Sequence, residues 1–289
     1  MLEIIIPVFG ASLLKHIGVF KKGQERVLID YVLFFSLPIL SFKAGYDIKM
    51  NADILKVSSV AWISILACMF FAFTIAKLLR LSSKDTKTFL LVSSFGNTAF
   101  LGYPYAYTYF GQEGLQIAII YDNIGSFLLV SSLGIMIASG KPNLKEVLLF
   151  PPFLGLVLGL IKIFEIPPTL AEALDFVALS TLPVVLFALG LSVDLMGIKK
   201  NLKLSFLAVF VKIFVSFFVS LAVVKLFKLP EVAAKVSVLE SAMPPMMFSA
   251  VLALRYNLNP NFAFSAVSFG MMLSFVYVQF VVEIMNHFL

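Results

Sequence analysis

The sequence predicts an all-α polytopic membrane protein, with ten transmembrane helices arranged as two inverted five-helix repeats. Three observations predict it. The composition is too apolar for water, apolar runs of spanning length recur ten times, and a segment of the first half returns in the second. Hydrophobic residues make up 61% of the 289 and charged residues 13%, against about 45–50% and about 25% in a soluble domain. So much apolar surface needs a lipid bilayer as its solvent. The formal charge of +6 does not point to nucleic acid, because Lys and Arg fall mostly between the apolar runs, where they act as topology signals.

A spanning helix needs roughly 20 apolar residues. Runs of that order fall at 2–20, 27–46, 54–79, 86–110, 114–138, 144–163, 171–193, 203–227, 231–256 and 260–288. Breakers separate them, among them Gly111-Gln112-Glu113-Gly114, Gly140-Lys141-Pro142, Pro167-Pro168 and Asn259-Pro260. The first run starts at once, without a basic leader, and reads as a mature helix. Lys21, Lys22, Arg26, Arg80, Lys84, Lys145, Lys199, Lys200 and Arg255 belong to loops on one side of the membrane. That side holds about twice as many basic residues as the other, where Lys43, Lys49 and Lys228 lie, so the positive-inside rule places it in the cytoplasm. The chain is therefore expected in the cell membrane as a multi-pass protein, with both termini extracytoplasmic.

The repeat comes from one register. Asp30, Val32, Leu37 and Pro38 match Asp175, Val177, Leu182 and Pro183, and Phe42 and Gly45 match Phe187 and Gly190 at the same spacing. The offset is half the chain, which sets the repeats at 1–140 and 141–289. Chance among apolar segments explains single Leu or Phe matches, but poorly explains Asp, Pro and Gly held in register. Five spans per half is an odd number, so the second half enters the membrane upside down. Inverted repeats of this kind build secondary transporters, with a site near the midplane.

Spans 4 and 9 carry the clearest interruptions. Span 4 reads Ser93-Ser94-Phe95-Gly96-Asn97-Thr98, then Gly102-Tyr103-Pro104; span 9 reads Glu240-Ser241-Ala242-Met243-Pro244-Pro245. Proline removes a backbone donor and glycine eases departure from helical geometry. Paired interruptions in two halves point to a transporter binding site, and half-helix N-termini there suit an anion. Ser94, Gly96, Asn97, Thr98, Tyr103, Pro104, Ser241, Met243, Pro244 and Pro245 are the candidate substrate contacts. A lone proline, as at Pro38 or Pro183, reads instead as a bend beside the site.

Ionisable groups inside spans are costly and so few. Glu240, just before the span 9 break, is the first candidate for coupling, through Na⁺ or a proton. Asp122 in span 5 and Lys212 in span 8 are the others. Lys212 either pairs with an acid such as Glu240, attracts an anion or simply packs. Asp30 and Asp175, near helix ends, read as caps. Cys68, His16 and His287 are too few and too scattered for a metal centre, so no metal or cofactor is expected beyond a Na⁺ near Glu240.

At these residues the chain resembles the auxin efflux carrier family. The resemblance rests on Gly96-Asn97-Thr98 with Phe100-Leu101-Gly102-Tyr103-Pro104, on Phe110-Gly111 and Glu113-Gly114-Leu115, and on Ala242-Met243-Pro244-Pro245 with Leu252-Ala253 and Tyr256. It covers essentially the whole chain. It implies ten spans in two inverted repeats, a scaffold domain and a transport domain, and two proline-broken helices that cross, in a fold similar to the bile-acid sodium symporters. It also implies a homodimer as a candidate assembly. The long central loop of many plant members is missing, as is a second Asn-Pro beside Asn97. A permease for a small organic carboxylate therefore fits better than an auxin carrier.

The leading expectation is transport of a small organic anion by alternating access. The runner-up readings are a Na⁺- or H⁺-coupled symporter of another small solute, and a channel or ligand sensor in the same fold. An enzyme is not expected. The chain has no His-Glu-x-x-His, no Gly-x-Gly-Asp and no dense Asp cluster.

Overall fold

A computed structural model describes residues 2–21, 23–47, 53–141, 149–162, 165–192 and 201–289. Lys22, Lys49, Pro142, Lys145, Lys199 and Lys200, named above as topology or break signals, lie outside the described residues, as does the start of the run at 144–163. Helix α1 covers Leu2–His16, α2 Glu25–Asp47, α3 Asp53–Leu78 and α4 Ser83–Ser94. A helical stretch then runs Thr98–Ser139, 42 residues long. At 1.5 Å per residue it would reach about 63 Å, twice the ~30 Å hydrocarbon core. The backbone turns at Gly111, with φ 62° and ψ −152°, a conformation that glycine adopts without steric cost. The stretch is therefore two helices, α5 (98–110) and α6 (112–139). After them come α7 Pro151–Ile161, α8 Pro168–Ser192, α9 Leu202–Phe227, α10 Glu231–Ser241, α11 Met247–Arg255 and α12 Pro260–Phe288.

Among the described residues, six helical stretches are long and apolar enough to cross a membrane: α2, α3, Thr98–Ser139, α8, α9 and α12. Side-chain placement agrees with lipid as solvent. On α9, Phe206, Phe210, Phe214 and Phe218 form an i, i+4 stripe, each about half exposed, and Phe210 stacks on Phe214 at 5.0 Å. The opposite face buries Ser205, Lys212, Ser216 and Ser220. Water would favour the reverse arrangement.

Local chemistry sets several helix ends. Ser82 caps α4 by accepting from the Asp85 N–H at 3.2 Å, and Asn259 caps α12 by accepting from the Phe262 N–H at 3.1 Å. The Asn259 amide also donates to Asp85 at 2.7 Å, so the two helix starts are tied together. In α2, Pro38 offers no N–H, and the turn before it, Val32–Ser36, widens to i, i+5 bonding. Asp30 and Asp175 do not cap. Helices α2 and α8 begin earlier, at Glu25 and Pro168, so both carboxylates lie inside helices. Asp30 lies 4.0 Å from Arg26, and Asp175 lies 3.2 Å from Lys43, which joins α8 to α2.

The helices sort by contact into two groups. Helices α1, α2, α7 and α8 pack on one another. Their close approaches are made by glycine: Gly155 and Gly159 of α7 lie against the carbonyls of Pro38 and Phe42, and Gly190 of α8 lies against the carbonyl of Val8. Small residues let membrane helices approach closely where no hydrophobic force drives them together. The second group is centred on α3 and α9, with α4, α6, α10 and α12 packed around them. Replacing Gly155 by Leu should destabilise the protein by about 3 kcal/mol or more, because its Cβ would overlap a backbone carbonyl. Gly10→Leu, at a position with open space around it, should leave the melting temperature nearly unchanged. A thermal melt of both variants checks the difference.

Candidate functional site

Helices α4 and α10 both stop in mid-course, and their extended continuations meet. The Asn97 N–H donates to the Pro244 carbonyl at 2.7 Å, and the Met246 N–H donates to the Phe95 carbonyl at 2.9 Å. Gly96 and Pro245 thereby form an isolated antiparallel bridge. Helices α5 and α11 resume the two chains beyond it. The prolines have no N–H to satisfy, and Gly270 of α12 leaves the room in which Pro244 and Pro245 pack. Two further carbonyls of the second break find side chains. Tyr277 donates to Ala242 at 2.8 Å, and the Lys212 ammonium donates to Ser241 at 2.6 Å, with the Ser216 hydroxyl also 2.6 Å from that oxygen.

The intramembrane charges gather here and are held in three different ways. Asp122 accepts from the Thr98 hydroxyl and from the Tyr103 hydroxyl, the latter at 2.8 Å. Asn123 donates to the Tyr103 oxygen at 3.2 Å and orients it. Lys212 is directed at the Ser241 carbonyl, and the ion pair with Glu240 weighed from the sequence is not formed. The ammonium is taken up by a helix C-terminus, where the dipole favours a cation. Glu240 is fully buried, and both its carboxylate oxygens lack a hydrogen-bond partner. It lies against Gly102, whose missing side chain leaves it space, and within electrostatic reach of Asp122 and Lys212.

Beside the crossing lies a cavity of about 590 Å³, walled mainly by apolar side chains. Its walls come from both helix groups: Ile29, Leu33 and Leu37 of α2 and Pro151 of α7 from one, and α6 of the other with α11, which packs on α12 and α4. The first turns of both resumed half-helices face it, through Ala99 and Phe100 on one side and Met247 and Phe248 on the other. Asn97 and Asp122 line it, and the Asn97 amide nitrogen has no partner.

Of the candidate contacts read from the sequence, Asn97 lines the cavity. Thr98 and Tyr103 are engaged by Asp122, and the Ser241 hydroxyl bonds the Tyr121 hydroxyl at 2.7 Å. Ser94 is buried with its hydroxyl unpartnered, while Gly96, Met243, Pro244 and Pro245 form the bridge region and Pro104 opens the regular part of α5. Sequence reasoning missed the α2 wall, which carries no polar signal. It also read Arg255 only as a topology marker, yet Arg255 lines the cavity.

Interrupted helices that meet inside a membrane protein, beside a cavity between two helix groups, are the arrangement of membrane transporters. Comparison with known proteins agrees. The chain belongs to the membrane transport protein family, the auxin efflux carriers, whose profile matches residues 1–147 and 140–282. It is 27% identical over 282 residues to an uncharacterized transporter of Methanocaldococcus jannaschii, covering 92% of each chain. It is 26% identical over 285 residues to an uncharacterized transporter of Methanothermobacter thermautotrophicus, covering 96% of this chain and 94% of the relative. The protein is a multi-pass membrane transporter.

The contact of Gly102 with Glu240 gives a direct test. Gly102→Ala should destabilise by about 1–3 kcal/mol, since the new methyl group must displace the Glu240 carboxylate. In a Glu240→Ala background the same change should cost far less. Additive losses in this double-mutant cycle, measured by thermal or denaturant unfolding, would show that the two residues do not touch.

Proposed function

We propose that the chain carries a small organic anion, of the carboxylate class, by alternating access. The observation that carries this reading is the polarity of the cavity. Two half-helix N-termini face it, and Asn97, whose amide nitrogen is buried without a partner, is among its lining residues. Helix N-termini present free N–H groups and a partial positive charge, which suit an anion. Arg255 at the same cavity sets a positive charge against Asp122, whose carboxylate is already held by Thr98 and Tyr103, and the apolar walls suit the hydrocarbon part of an organic acid.

In this reading the chain has ten spans, five in each of the inverted halves 1–140 and 141–289. The turn at Gly111 supports two crossings within Thr98–Ser139. The group of α1, α2, α7 and α8 serves as scaffold, and the group holding the crossing moves against it. A cavity walled by both groups is where such motion opens access to either side. Both termini lie outside the cell membrane, a homodimer is the candidate assembly, and the chain performs no covalent chemistry. An anion carried alone feels about 2.3 kcal/mol per 100 mV, which drives export from a negative-inside cell. Import needs a coupled H⁺ or Na⁺, and Glu240 is the residue for it.

Purified protein should melt at higher temperature with one or more mono- or dicarboxylates, by about 2.7 kcal/mol of added stability at a hundredfold excess over Kd. Asn97→Ala should abolish the effect. Stabilisation by neutral or cationic solutes with none by any acid would overturn the anion reading. In proteoliposomes loaded with the stabilising acid, saturable counterflow is expected of a carrier; a channel or a sensor gives none. Glu240→Gln should remove the dependence of uptake on pH or Na⁺, and unchanged dependence would exclude Glu240 from coupling.

A further inference from the structure

We infer that the Lys212 ammonium is a built-in cation that occupies the place of a coupling Na⁺ at the helix crossing, so that Na⁺ is not bound there. The inference rests on the crossing itself. Its relation to the reading above is that it leaves a proton or the membrane potential, and not Na⁺, to drive transport.

The geometry is that of a cation site. In broken-helix transporters, unwound carbonyls and half-helix C-terminal ends hold the coupling cation. Here the Lys212 Nζ lies 2.6 Å from the carbonyl of Ser241, the last residue of α10, and 3.4 Å from the Ser216 hydroxyl. It also lies beside Gly96, two residues beyond the end of α4; a Cβ placed there would be 3.1 Å from Nζ. The C-terminal end of α10 is thus directed at a buried ammonium, and the break after α4 passes beside it. The Glu240 carboxylate adds negative potential at short range without bonding it. Hard oxygen donors, the negative end of a helix dipole and a nearby buried carboxylate would suit a monovalent metal ion. The lysine side chain, entering from mid-α9, fills that place permanently.

Two consequences are specific. The wild-type protein has no Na⁺-selective response. Truncating the side chain leaves oxygen donors without a cation, and a small metal ion can then enter. The full-length protein is melted in NaCl, KCl and choline chloride at equal ionic strength, without any organic acid. The wild type should melt at the same temperature in all three. Lys212→Ala should melt several degrees lower in choline chloride and regain most of that loss in NaCl. Lys212→Met, which keeps most of the packing volume, should lose stability less, since its side chain still fills the site, and should respond little to Na⁺.

A Na⁺-selective rise in the wild type would overturn the inference, because the site would then be open despite the lysine. So would a Lys212→Ala protein whose melting does not depend on the cation, or one that folds in no salt, Na⁺ included. None of these outcomes bears on carboxylate binding at Asn97, which is read separately with organic acids in a fixed salt.

Discussion

A peptide group in hydrocarbon has no water to bond, and each one left unpaired costs several kcal/mol. A membrane helix that stops half-way must therefore find partners for the groups it releases. Here two interrupted helices supply them to each other. The extended residues after α4 and α10 lie antiparallel, and Asn97 and Met246 donate across the gap to Pro244 and Phe95. The prolines reduce the demand, having no N–H to satisfy. Tyr277 takes the Ala242 carbonyl, and Lys212 and Ser216 take that of Ser241. Neither break is tolerable alone, so the crossing fixes the relative position of two segments about 150 residues apart.

The same constraint organises the charges. On insertion scales a charged side chain at mid-bilayer costs on the order of 3 kcal/mol, and two of the three are placed where partners at the crossing lower that cost. Asp122 accepts two hydroxyls, one from Thr98 in the first turn after the break. Lys212 stands at the C-terminal end of α10, the favourable end of the dipole for a cation. Glu240 alone has no donor, resting in space that Gly102 leaves open. A buried carboxylate without a hydrogen bond is an exception among buried polar groups, most of which are partnered.

Around this centre the packing divides. Glycine-mediated contacts bind α1, α2, α7 and α8 closely, backbone against backbone. The other group packs through α3 and α9 and contains the crossing. The cavity lies between the two, apolar where α2 faces it and polar where the half-helices begin.

Much of this was legible in the sequence. Composition fixed lipid as the solvent, and the breakers at Gly96, Gly111, Pro244 and Pro245 fall where the helices end or turn, because proline and glycine act through their own backbone. The motif around Asn97 and Pro244 carried the family. Local patterns failed where an outcome depended on helix length or on distant partners. Asp30 and Asp175 looked like caps, but the helices start earlier and place them in ion pairs. A pair between Lys212 and Glu240 was one of the readings open, but the ammonium bonds the Ser241 carbonyl instead. The α2 wall of the cavity left no signal, since apolar residues look alike whether they face lipid, protein or a cavity, and nothing local told Arg255 at the cavity rim from a loop cation. The sequence by itself determined the solvent, the helix breaks and the family, all set by residues near one another in the chain. Only the tertiary structure decided which polar groups meet and where the cavity opens, because those depend on packing between segments that the chain order does not relate.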